Sequence, residues 1–512
     1  MNGLADKQLH TRIKPQFYLD SVALMRMSRE LTTQPGVVDA AMMMGTPANI
    51  EIMSNAGLLQ LPMADDVEPG PGDLVLSVLA HSDAQAGEAL LFAEQLLVQP
   101  QQSRSASVWQ PRSIARAVVE HPDASLALIS VPGAFAVSEA RKAIRRGLHA
   151  MIFSDNVPLE DELALKQEAS ELGLLVMGPD CGTCIINGVP LAFANKLPGG
   201  NIGIVGASGT GIQEISCLLA HQGLGVSHAI GVGGRDMSAG VGGLSTLMAL
   251  DALHSDSATK HIVVICKPPA REVAERVLQR IADSKKTHTL CFIGGEQPDL
   301  PANVQWADTL HEAARLAALS SATARPMAVV SMPDDVLPVA ATGAGGPLIR
   351  GLFCGGTLCA EAQVIGLSQG LAVSSNAAIP SVDAAGQHDR HSFIDLGADE
   401  YTQGKPHPMI DPAVRDQLIR EALSDKRTGV VLLDVVIGYG AHADPAGQLA
   451  DSLPEDWADS GIRIIASVTG TDADPQVRSR QIARLQQAGI DVVASNAEAA
   501  MRAVASVKGA FA

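Results

Sequence analysis

Aromatic residues and basic charge are both scarce in this sequence. Phe, Trp and Tyr make up 3% of the 512 residues, and 37 Lys and Arg stand against 55 Asp and Glu. The cores must therefore be built from Val, Ile, Leu and Ala, which is typical of strands buried on both faces of a parallel sheet. The net charge of −18 opposes binding to nucleic acid or to anionic membranes, since both require a basic surface.

The sequence also lacks a long hydrophobic run and a cysteine framework. Apolar runs such as residues 262–266 are far shorter than a membrane span, and the first residues, MNGLADKQLHTRIK, contain no apolar signal segment. The seven cysteines are scattered and odd in number, which fits reduced thiols better than disulfides. We therefore predict a cytoplasmic protein that binds neither nucleic acid nor membrane.

The chain does contain a regular alternation of short apolar segments and amphipathic stretches. Three strand–helix series occupy residues 125–177, 201–293 and 349–468, with weaker strand signals at 36–44 and 73–80. This rhythm predicts an α/β fold with right-handed crossovers and parallel sheets. Residues 322–346, rich in Pro, Gly, Ala and Thr, are predicted as a linker. The length allows roughly three or four compact units.

The strongest motif is GIVGASGTG, a glycine-rich turn between a predicted strand and a predicted helix. Its glycines allow a tight turn and close approach of a ligand, and the helix start adds unpaired N–H groups. We predict that Ser208, Gly209, Thr210 and Gly211 bind a phosphate or another anion; a simple capped turn is the alternative. The motif is not the dinucleotide fingerprint, and it has no lysine after the glycines, as a nucleotide P-loop would.

Other candidates end neighbouring predicted strands, where parallel sheets place ligands. Arg235 is suited to pairing with a carboxylate or phosphate, with a structural salt bridge as the alternative. Asp236 and Lys267 are further pocket and anion-binding candidates. Cys181 and Cys184 form C-x-x-C, but the cysteine spacings and the lack of a supporting histidine favour buried small residues over zinc, so no metal is predicted.

Longer strings carry a family resemblance. Residues 120–320 resemble the α subunit of succinyl-CoA synthetase through VPGAFAVSEARKAIRRGLHAMIF, GPDCGT and NIGIVGASGTGIQE, and residues 392–505 resemble the ligase domain of its β subunit through SFIDLGADE and VVLLDVVIGYGAHADP. The whole chain is similar to FdrA-type proteins, which are usually named acyl-CoA synthetases, through LLVMGPDCGT, GLFCGGTLC and GKPHPMIDP.

This resemblance implies an architecture and a chemistry. It predicts a Rossmann-like CoA-binding-type domain (1–197) followed by two flavodoxin-like ligase domains (198–321 and 347–512), joined by the linker. It also implies an acyl-CoA synthetase-like enzyme that acts through an acyl-phosphate-type species, with CoA as a possible cofactor. By the same resemblance, the Cys181 loop is expected to lie close to the phosphate site, where Cys181 would line the pocket without reacting. Additional enzyme subunits, an oligomer and small anionic substrates (acyl or carbamoyl phosphate, carboxylates) are the partners that it suggests.

The sequence departs from the synthetase in two respects. No histidine of the GHAGA type stands near residues 293–296, and no ATP-grasp half is present, so this chain alone is expected to bind no nucleotide. The resemblance to FdrA-type proteins therefore keeps a carbamoyltransferase subunit of purine or allantoin catabolism open, with oxamate and carbamoyl phosphate as substrates. A non-catalytic subunit that binds a phosphate metabolite is the third alternative.

The remaining predicted site residues lie in the third series. Gly438 and Gly440 are predicted to begin a second helix that faces the same phosphate, and His442 is predicted to bind it or to act as an acid or base. In GKPHPMIDP, Lys405, His407 and Asp411 combine a cation, an imidazole and a carboxylate in a segment stiffened by prolines. The alternatives are a surface histidine and a rigid loop.

Overall fold

Two seven-stranded and two three-stranded sheets organise the part of the chain that the structure describes. The structure is a computed structural model, and the described residues are 7–19, 21–60, 69–98, 111–320, 324–333, 346–384, 389–402 and 406–508. Its contacts divide into two compact units, one assigned residues 1–120, 130–132 and 402–406 and the other the remainder of the chain.

The first unit is built on a small antiparallel sheet that the sequence analysis did not predict, although its strand signals at 36–44 and 73–80 were right. The sheet has the order β1-β3-β2. Apolar residues of β3 alternate between two clusters, so both faces of the sheet are covered. The elements of this unit are β1 (Gln8–Lys14), α1 (Ser21–Thr32), β2 (Val37–Met44), α2 (Pro47–Asn55), β3 (Leu74–Ala80), α3 (Asp83–Val98) and α4 (Ile114–Glu120).

The second unit begins with a three-stranded parallel sheet in the order β4-β5-β6. The helix at Leu159–Glu171 ends just before Gly173, whose φ of +71° is the left-handed conformation that a helix C-terminus commonly requires. The elements are β4 (Leu126–Ile129), α5 (Gly133–Ile144), β5 (His149–Ile152), α6 (Leu159–Glu171) and β6 (Val176–Met177).

The first seven-stranded sheet has the order β13-β12-β11-β9-β10-β7-β8. Its strands β9 to β13 pair in parallel, while β7 and β8 add an antiparallel edge. The predicted domain boundary at 197/198 therefore falls inside this sheet, and the domain division stays a prediction. The elements are β7 (Thr183–Ile186), β8 (Val189–Ala192), β9 (Gly199–Gly206), α7 (Gly209–His221), β10 (Val226–Gly231), α8 (Leu244–Ser255), β11 (His261–Cys266), α9 (Arg271–Ala282), β12 (Thr287–Phe292), β13 (Val304–Trp306) and α10 (Leu310–Leu319).

The second seven-stranded sheet is parallel throughout, in the order β16-β15-β17-β14-β18-β19-β20. Every residue of β18 is buried, because helices cover both faces. The predicted α/β class with parallel sheets is thus confirmed. The elements are β14 (Leu348–Phe353), α11 (Gly356–Ser368), β15 (Val373–Ser375), β16 (Asp383–Ala384), β17 (His391–Asp395), α12 (Asp399–Thr402), α13 (Ala413–Ser424), β18 (Thr428–Val436), α14 (Pro445–Ser452), β19 (Arg463–Thr469), α15 (Arg478–Gln487), β20 (Asp491–Val493) and α16 (Asn496–Lys508).

Helices α7, α10, α11 and α16 contact one another and share one apolar core with both large sheets. Two buried glutamates connect these helices by hydrogen bonds. Glu214 of α7 accepts the N–H of Asn496 at the start of α16 (3.1 Å), and Glu361 of α11 accepts the N–H of Leu310 at the start of α10 (2.7 Å). Each carboxylate thus lies at the positive end of a helix from the other half, which stabilises the pairing of the halves.

Two smaller findings complete the fold. Of the predicted linker, residues 324–333 form neither helix nor strand, and 322–323 and 334–345 lie outside the described residues. In the described part of the chain, no helix combines the length and the apolar character that a membrane crossing needs.

His261→Gln is expected to make stability less dependent on pH. His261 is buried in β11, where its ring nitrogens contact Thr287 Oγ1 (2.8 Å) and Thr289 Oγ1 (2.9 Å). Burial lowers the pKa of His261 from 6.5 to about 4. Below pH 6.5 the unfolded chain therefore binds a proton that the folded chain does not, and stabilisation present above this pH is lost as the pH falls.

Urea unfolding at two pH values measures this effect. Between pH 7 and pH 5 the wild type should lose about 2 kcal/mol more of its unfolding free energy than the variant does. Equal losses in the two proteins would contradict the assignment of a neutral, buried His261.

Candidate functional site

The glycine-rich turn lies where the sequence placed it, between β9 and α7. Ser208 is the N-cap of α7, and its hydroxyl accepts the N–H of Gly211 (3.0 Å). Residues 207–210 are half-buried, so the turn is accessible to solvent. The turn sits at the carboxyl end of β9, which lies between β10 and β11 in the sheet. Chain connections leave β9 and β11 in opposite directions here, and such crevices bind ligands in α/β folds.

A second helix start, that of α11, meets this turn directly. Ser208 Oγ and Thr357 Oγ1 are 2.5 Å apart, although the residues are 149 positions apart in the sequence. A β-carbon on Gly355 would come within 2.9 Å of Thr210 Oγ1, so glycine is what lets the two turns approach. We call this place the α7/α11 junction: Ser208, Gly209 and Thr210 with Gly356 and Thr357.

The α7/α11 junction offers unpaired backbone donors. Within the described residues, no acceptor pairs with the N–H groups of Ser208, Gly209 and Thr210, or with those of Gly356, Thr357 and Leu358. Both helix dipoles place their positive ends here. The hydroxyls of Ser208 and Thr357, these six N–H donors and the two helix ends together form a site for a small anion.

A buried ion pair shapes the α11 side. Asp434 of β18 accepts the N–H groups of Cys354 (2.7 Å) and Gly355 (2.8 Å). Arg415 Nη1 donates to the Asp434 carbonyl oxygen (2.7 Å) and lies 3.8 Å from its Oδ1. Asp434 and Arg415 are both almost completely buried. The carboxylate therefore fixes the turn that precedes α11 and orients the free N–H groups that follow it.

Asp395, the last residue of β17, brings a carboxyl group to the α11 start. A β-carbon on Gly356 would lie 2.5 Å from Asp395 Oδ2. Burial raises the pKa of Asp395 to about 6, against the lowering effects of the Lys267 cation and the Gly397 N–H. A carboxyl group that titrates near neutral pH beside an anion site is a candidate acid or base. Lys267, predicted as an anion ligand, is exposed at the end of β11.

The predicted second helix start at Gly438–His442 is not the one that faces α7. Helix α14 begins at Pro445, and its own neighbours fill its first turn: Asp444 caps the N–H of Gly447 (3.1 Å) and Gln481 accepts that of Ala446 (2.9 Å). Gly438 donates to Gln476 Oε1 (3.2 Å), and Gly440 packs against Phe193. This helix end is thus satisfied by protein groups, whereas α11 keeps its donors free.

The histidine-containing loops of the second sheet lie beside each other. The N–H of His442 donates to the carbonyl of Met409 (2.8 Å), which links its loop to the turn that starts at His407. Asp411 Oδ1 accepts the N–H of Ala413 (3.1 Å), the first residue of α13. Lys405 lies outside the described residues.

Arg235 and Asp236 belong to one charge network, in which Asp236, Glu162 and Lys166 are buried and Arg235 is exposed. The Asp236 carboxylate accepts a hydrogen bond from Lys166 Nζ (2.7 Å). It also accepts hydrogen bonds from the backbone N–H groups of Ser245 and Thr246 at the start of α8. Arg235 pairs with Glu162 (2.8 Å), which in turn binds Lys166 (2.8 Å). Because buried charges are held only when paired, this network serves to fix α6, α8 and the end of β10.

Cys181 is a buried core residue. Its sulfur lies 3.5 Å from Cys184 and 3.3 Å from the Gly231 carbonyl. The hydrogen bond with Cys184, together with burial, raises the pKa of Cys181, so the thiol stays protonated and unreactive. No group of three or more His, Cys, Asp or Glu suited to a metal occurs in the described ranges.

Sequence reasoning missed Gly355, Gly356, Thr357 and Asp395. Their segments had been noticed only as strings of resemblance, GLFCGGTLC and SFIDLGADE. A signal was present, since FCGGT has a glycine pair and a hydroxyl residue directly after an apolar strand, as GASGTG does. The same turn chemistry could have selected α11 as the second helix start.

Three family models match the chain. The CoA-ligase family matches residues 352–506, the CoA binding domain matches residues 199–294, and the family described as "AllF, heavy metal-associated domain" matches residues 7–111. The first two fall on the two large sheets, one on each side of the α7/α11 junction. The fold and site therefore define a CoA-ligase-type protein in which both halves are fused in one chain.

The uncharacterized protein YahF of Escherichia coli (strain K12) is 40% identical over 498 residues, which are 94% of this chain and 96% of YahF. The chain belongs to the YahF family of fused, succinyl-CoA-synthetase-like proteins. The α subunit of the ADP-forming succinate–CoA ligase of Methanothermobacter thermautotrophicus is 29% identical over 151 residues, 29% of this chain. The match spans half of that subunit (50%).

Two solved structures match the chain with low TM-scores. One is the dinucleotide-forming acetyl-coenzyme A synthetase 1 of Ca. Korarchaeum cryptofilum in complex with phosphate and ADP (13% identity, TM-score 0.32, 76% of this chain and 85% of that one). The other is PH0766 from Pyrococcus horikoshii OT3 (15% identity, TM-score 0.34, 79% and 87%).

The part of the chain matched by the N-terminal family contains no thiolate for a heavy metal. Soft metal ions are held by thiolate or thioether groups, and none of the seven cysteines precedes residue 181. In the described part of this unit, His10 is paired with Asp83 (2.8 Å) and Arg12 with Glu94 (2.9 Å).

Proposed function

We propose that this chain transfers an acyl-type group through an acyl-phosphate-type species whose phosphate is held at the α7/α11 junction. The observation that carries the proposal is the 2.5 Å contact of Ser208 and Thr357, which sets two helix N-termini with free N–H groups against one point. A doubly charged phosphate is the ligand that such a site favours. The same donors would stabilise the charge that develops on phosphate as it leaves.

The charged groups near the junction support a division of tasks. Lys267, at the end of β11, is the nearby cation that would balance the anion. Asp395, with a pKa raised to about 6, would exchange a proton with the acceptor or the leaving group. CoA, when bound, would supply a thiol acceptor, and the match to the CoA binding domain supports the first large sheet as its place.

Two molecules are candidates for the acceptor of the transferred group: the thiol of CoA and the amide of oxamate. The CoA-ligase match and the relatives named as succinate–CoA ligases support an acyl-CoA synthetase-like reaction. A carbamoyltransferase subunit is the second candidate, favoured by the absence of histidine at residues 293–296 and by the AllF-named domain at 7–111. The identification as an FdrA-type protein, the link to allantoin, partner subunits and an oligomer stay predictions, and a non-catalytic phosphate-binding subunit is the third possibility.

One pair of assays separates these functions. The full-length chain, with candidate partner subunits, is given carbamoyl phosphate with oxamate, and in parallel an acyl phosphate or ATP with CoA and a carboxylate. We expect product in one arm and protection against thermal unfolding by phosphate in both. CoA thioester without carbamoyl transfer would eliminate the carbamoyl version, and carbamoyl transfer alone would eliminate the CoA version. Protection without product in either arm would leave the non-catalytic subunit.

A further inference from the structure

His407 brings one ring nitrogen to the edge of the α7/α11 junction. A β-carbon on Gly397 would lie 2.7 Å from His407 Nε2, 3.1 Å from the Cys354 carbonyl oxygen and 3.2 Å from Asp395 Oδ1. These three atoms therefore surround the same side of Gly397. Cys354 immediately precedes the turn into α11, so Nε2 lies close to the helix end that is proposed to hold phosphate.

The other ring nitrogen is already occupied. Met409 donates its N–H to His407 Nδ1 (3.2 Å), so Nδ1 carries a lone pair and the proton of the neutral ring is on Nε2. Burial lowers the pKa of His407 to about 4, so the ring is neutral at pH 7. The residue remains half-buried, and Nε2–H has no acceptor within the described residues.

This arrangement excludes two roles that histidines often have. A phosphate carrier or a general base needs a lone pair on the nitrogen that faces the substrate, and here that nitrogen holds the proton. Moving the proton to Nδ1 would set it against the N–H of Met409, with loss of that hydrogen bond. A neutral imidazole also gives up its proton too reluctantly to serve as an acid. What remains is a fixed, uncharged hydrogen-bond donor.

We propose that His407 Nε2–H binds the carbonyl oxygen of the acyl or carbamoyl phosphate whose phosphate lies at the α7/α11 junction; this rests on the function proposed above. The acceptor, a thiol or an amide nitrogen, forms a bond to the carbonyl carbon, and negative charge collects on the carbonyl oxygen beside Nε2–H. The carbon–oxygen bond to phosphate then breaks, the carbonyl re-forms, and phosphate leaves with the electron pair. The acceptor's proton passes to the leaving phosphate, and His407 gains and loses nothing.

Two variants of His407 distinguish the role of Nε2 from the role of Nδ1. His407→Gln reaches the position of Nε2 with an amide N–H, whereas His407→Asn can replace only the acceptor at Nδ1. Acetyl phosphate, which has a carbonyl group, and inorganic phosphate, which has none, are titrated against the full-length chain by thermal shift. We expect His407→Asn to bind acetyl phosphate about tenfold more weakly than the wild type and to bind inorganic phosphate with unchanged affinity. His407→Gln should bind both ligands with affinities close to those of the wild type. His228→Ala, which removes another ring whose Nδ1 accepts a backbone N–H, is the control.

Turnover and labelling complete the test. If the wild type turns over, His407→Asn should lower kcat about a hundredfold, as the loss of one oxyanion donor does, and His407→Gln far less. Incubation with 32P-labelled acetyl phosphate should leave His407 unlabelled. Equal weakening of both phosphates, an unaffected His407→Asn variant or a phosphohistidine at this position would overturn the inference. Absence of phosphate binding by the wild type would instead overturn the proposed function.

Discussion

Asp434→Ala is expected to lower the free energy of unfolding by about 3–5 kcal/mol, because it leaves a buried charge without its partner. Arg415, which is almost completely buried, would keep its hydrogen bond to the Cys354 sulfur (2.9 Å) but would lose the nearby carboxylate. The N–H groups of Cys354 and Gly355 would lose their acceptors as well. Since these two residues form the turn before α11, the variant should also lose its response to phosphate.

Chemical unfolding monitored by circular dichroism measures this prediction. Asp451→Ala is the matched control, because Asp451 is an exposed carboxylate paired with Arg484 (2.9 Å), and such pairs contribute about 0–1 kcal/mol. Asp434→Asn, which keeps an acceptor for one N–H but removes the charge, should fall between the two. A loss below about 1 kcal/mol in Asp434→Ala would mean that the pair does not hold the turn.

Thr357→Val is expected to weaken phosphate binding by about ten- to a hundredfold, because it removes one hydroxyl donor to a charged ligand without changing the shape of the side chain. Adding Ser208→Ala also removes the hydroxyl that contacts Thr357, together with the cap of the Gly211 N–H. The double variant should therefore show almost no thermal protection by phosphate. Protection scales with the ratio of phosphate concentration to Kd, so a titration gives both affinities.

Thr428→Val provides a control of the same chemistry. Thr428 is fully buried in β18, and within the described residues its hydroxyl has no hydrogen-bond partner. Its replacement by valine should leave both stability and phosphate binding close to wild type. If Thr357→Val and Thr428→Val bind phosphate equally well, the anion lies elsewhere than at the α7/α11 junction.

Local signals predicted much of the fold and one half of the site. The strands and helices follow from apolar periodicity, and the turn at Ser208–Gly211 follows from glycines placed after a strand. The partner of that turn did not follow. Gly438 and Gly440 have the same local features as a helix start, but Asp444 and Gln481 fill the first turn of α14. Whether a helix end is free or filled depends on side chains distant in sequence.

The roles of charged candidates were undetermined for the same reason. Arg235 and Asp236 end a strand, which is where ligands bind, yet Glu162 and Lys166 of α6 pair with them. Asp395 was not predicted as a site residue, because a single aspartate at the end of a strand is common. Its raised pKa comes from burial, which requires the packed sheet.

The sequence by itself determined that this chain is an α/β protein with parallel sheets and that a glycine-rich turn opens α7. Both depend on interactions within a few residues, which composition and spacing encode. The tertiary structure alone decided that α11 meets α7 and that Asp434 and Arg415 hold the turn before α11. It also decided that Nε2 of His407 lies beside this turn. These depend on residues brought together over long sequence distances, 149 positions for Ser208 and Thr357, by the packing of two sheets around shared helices.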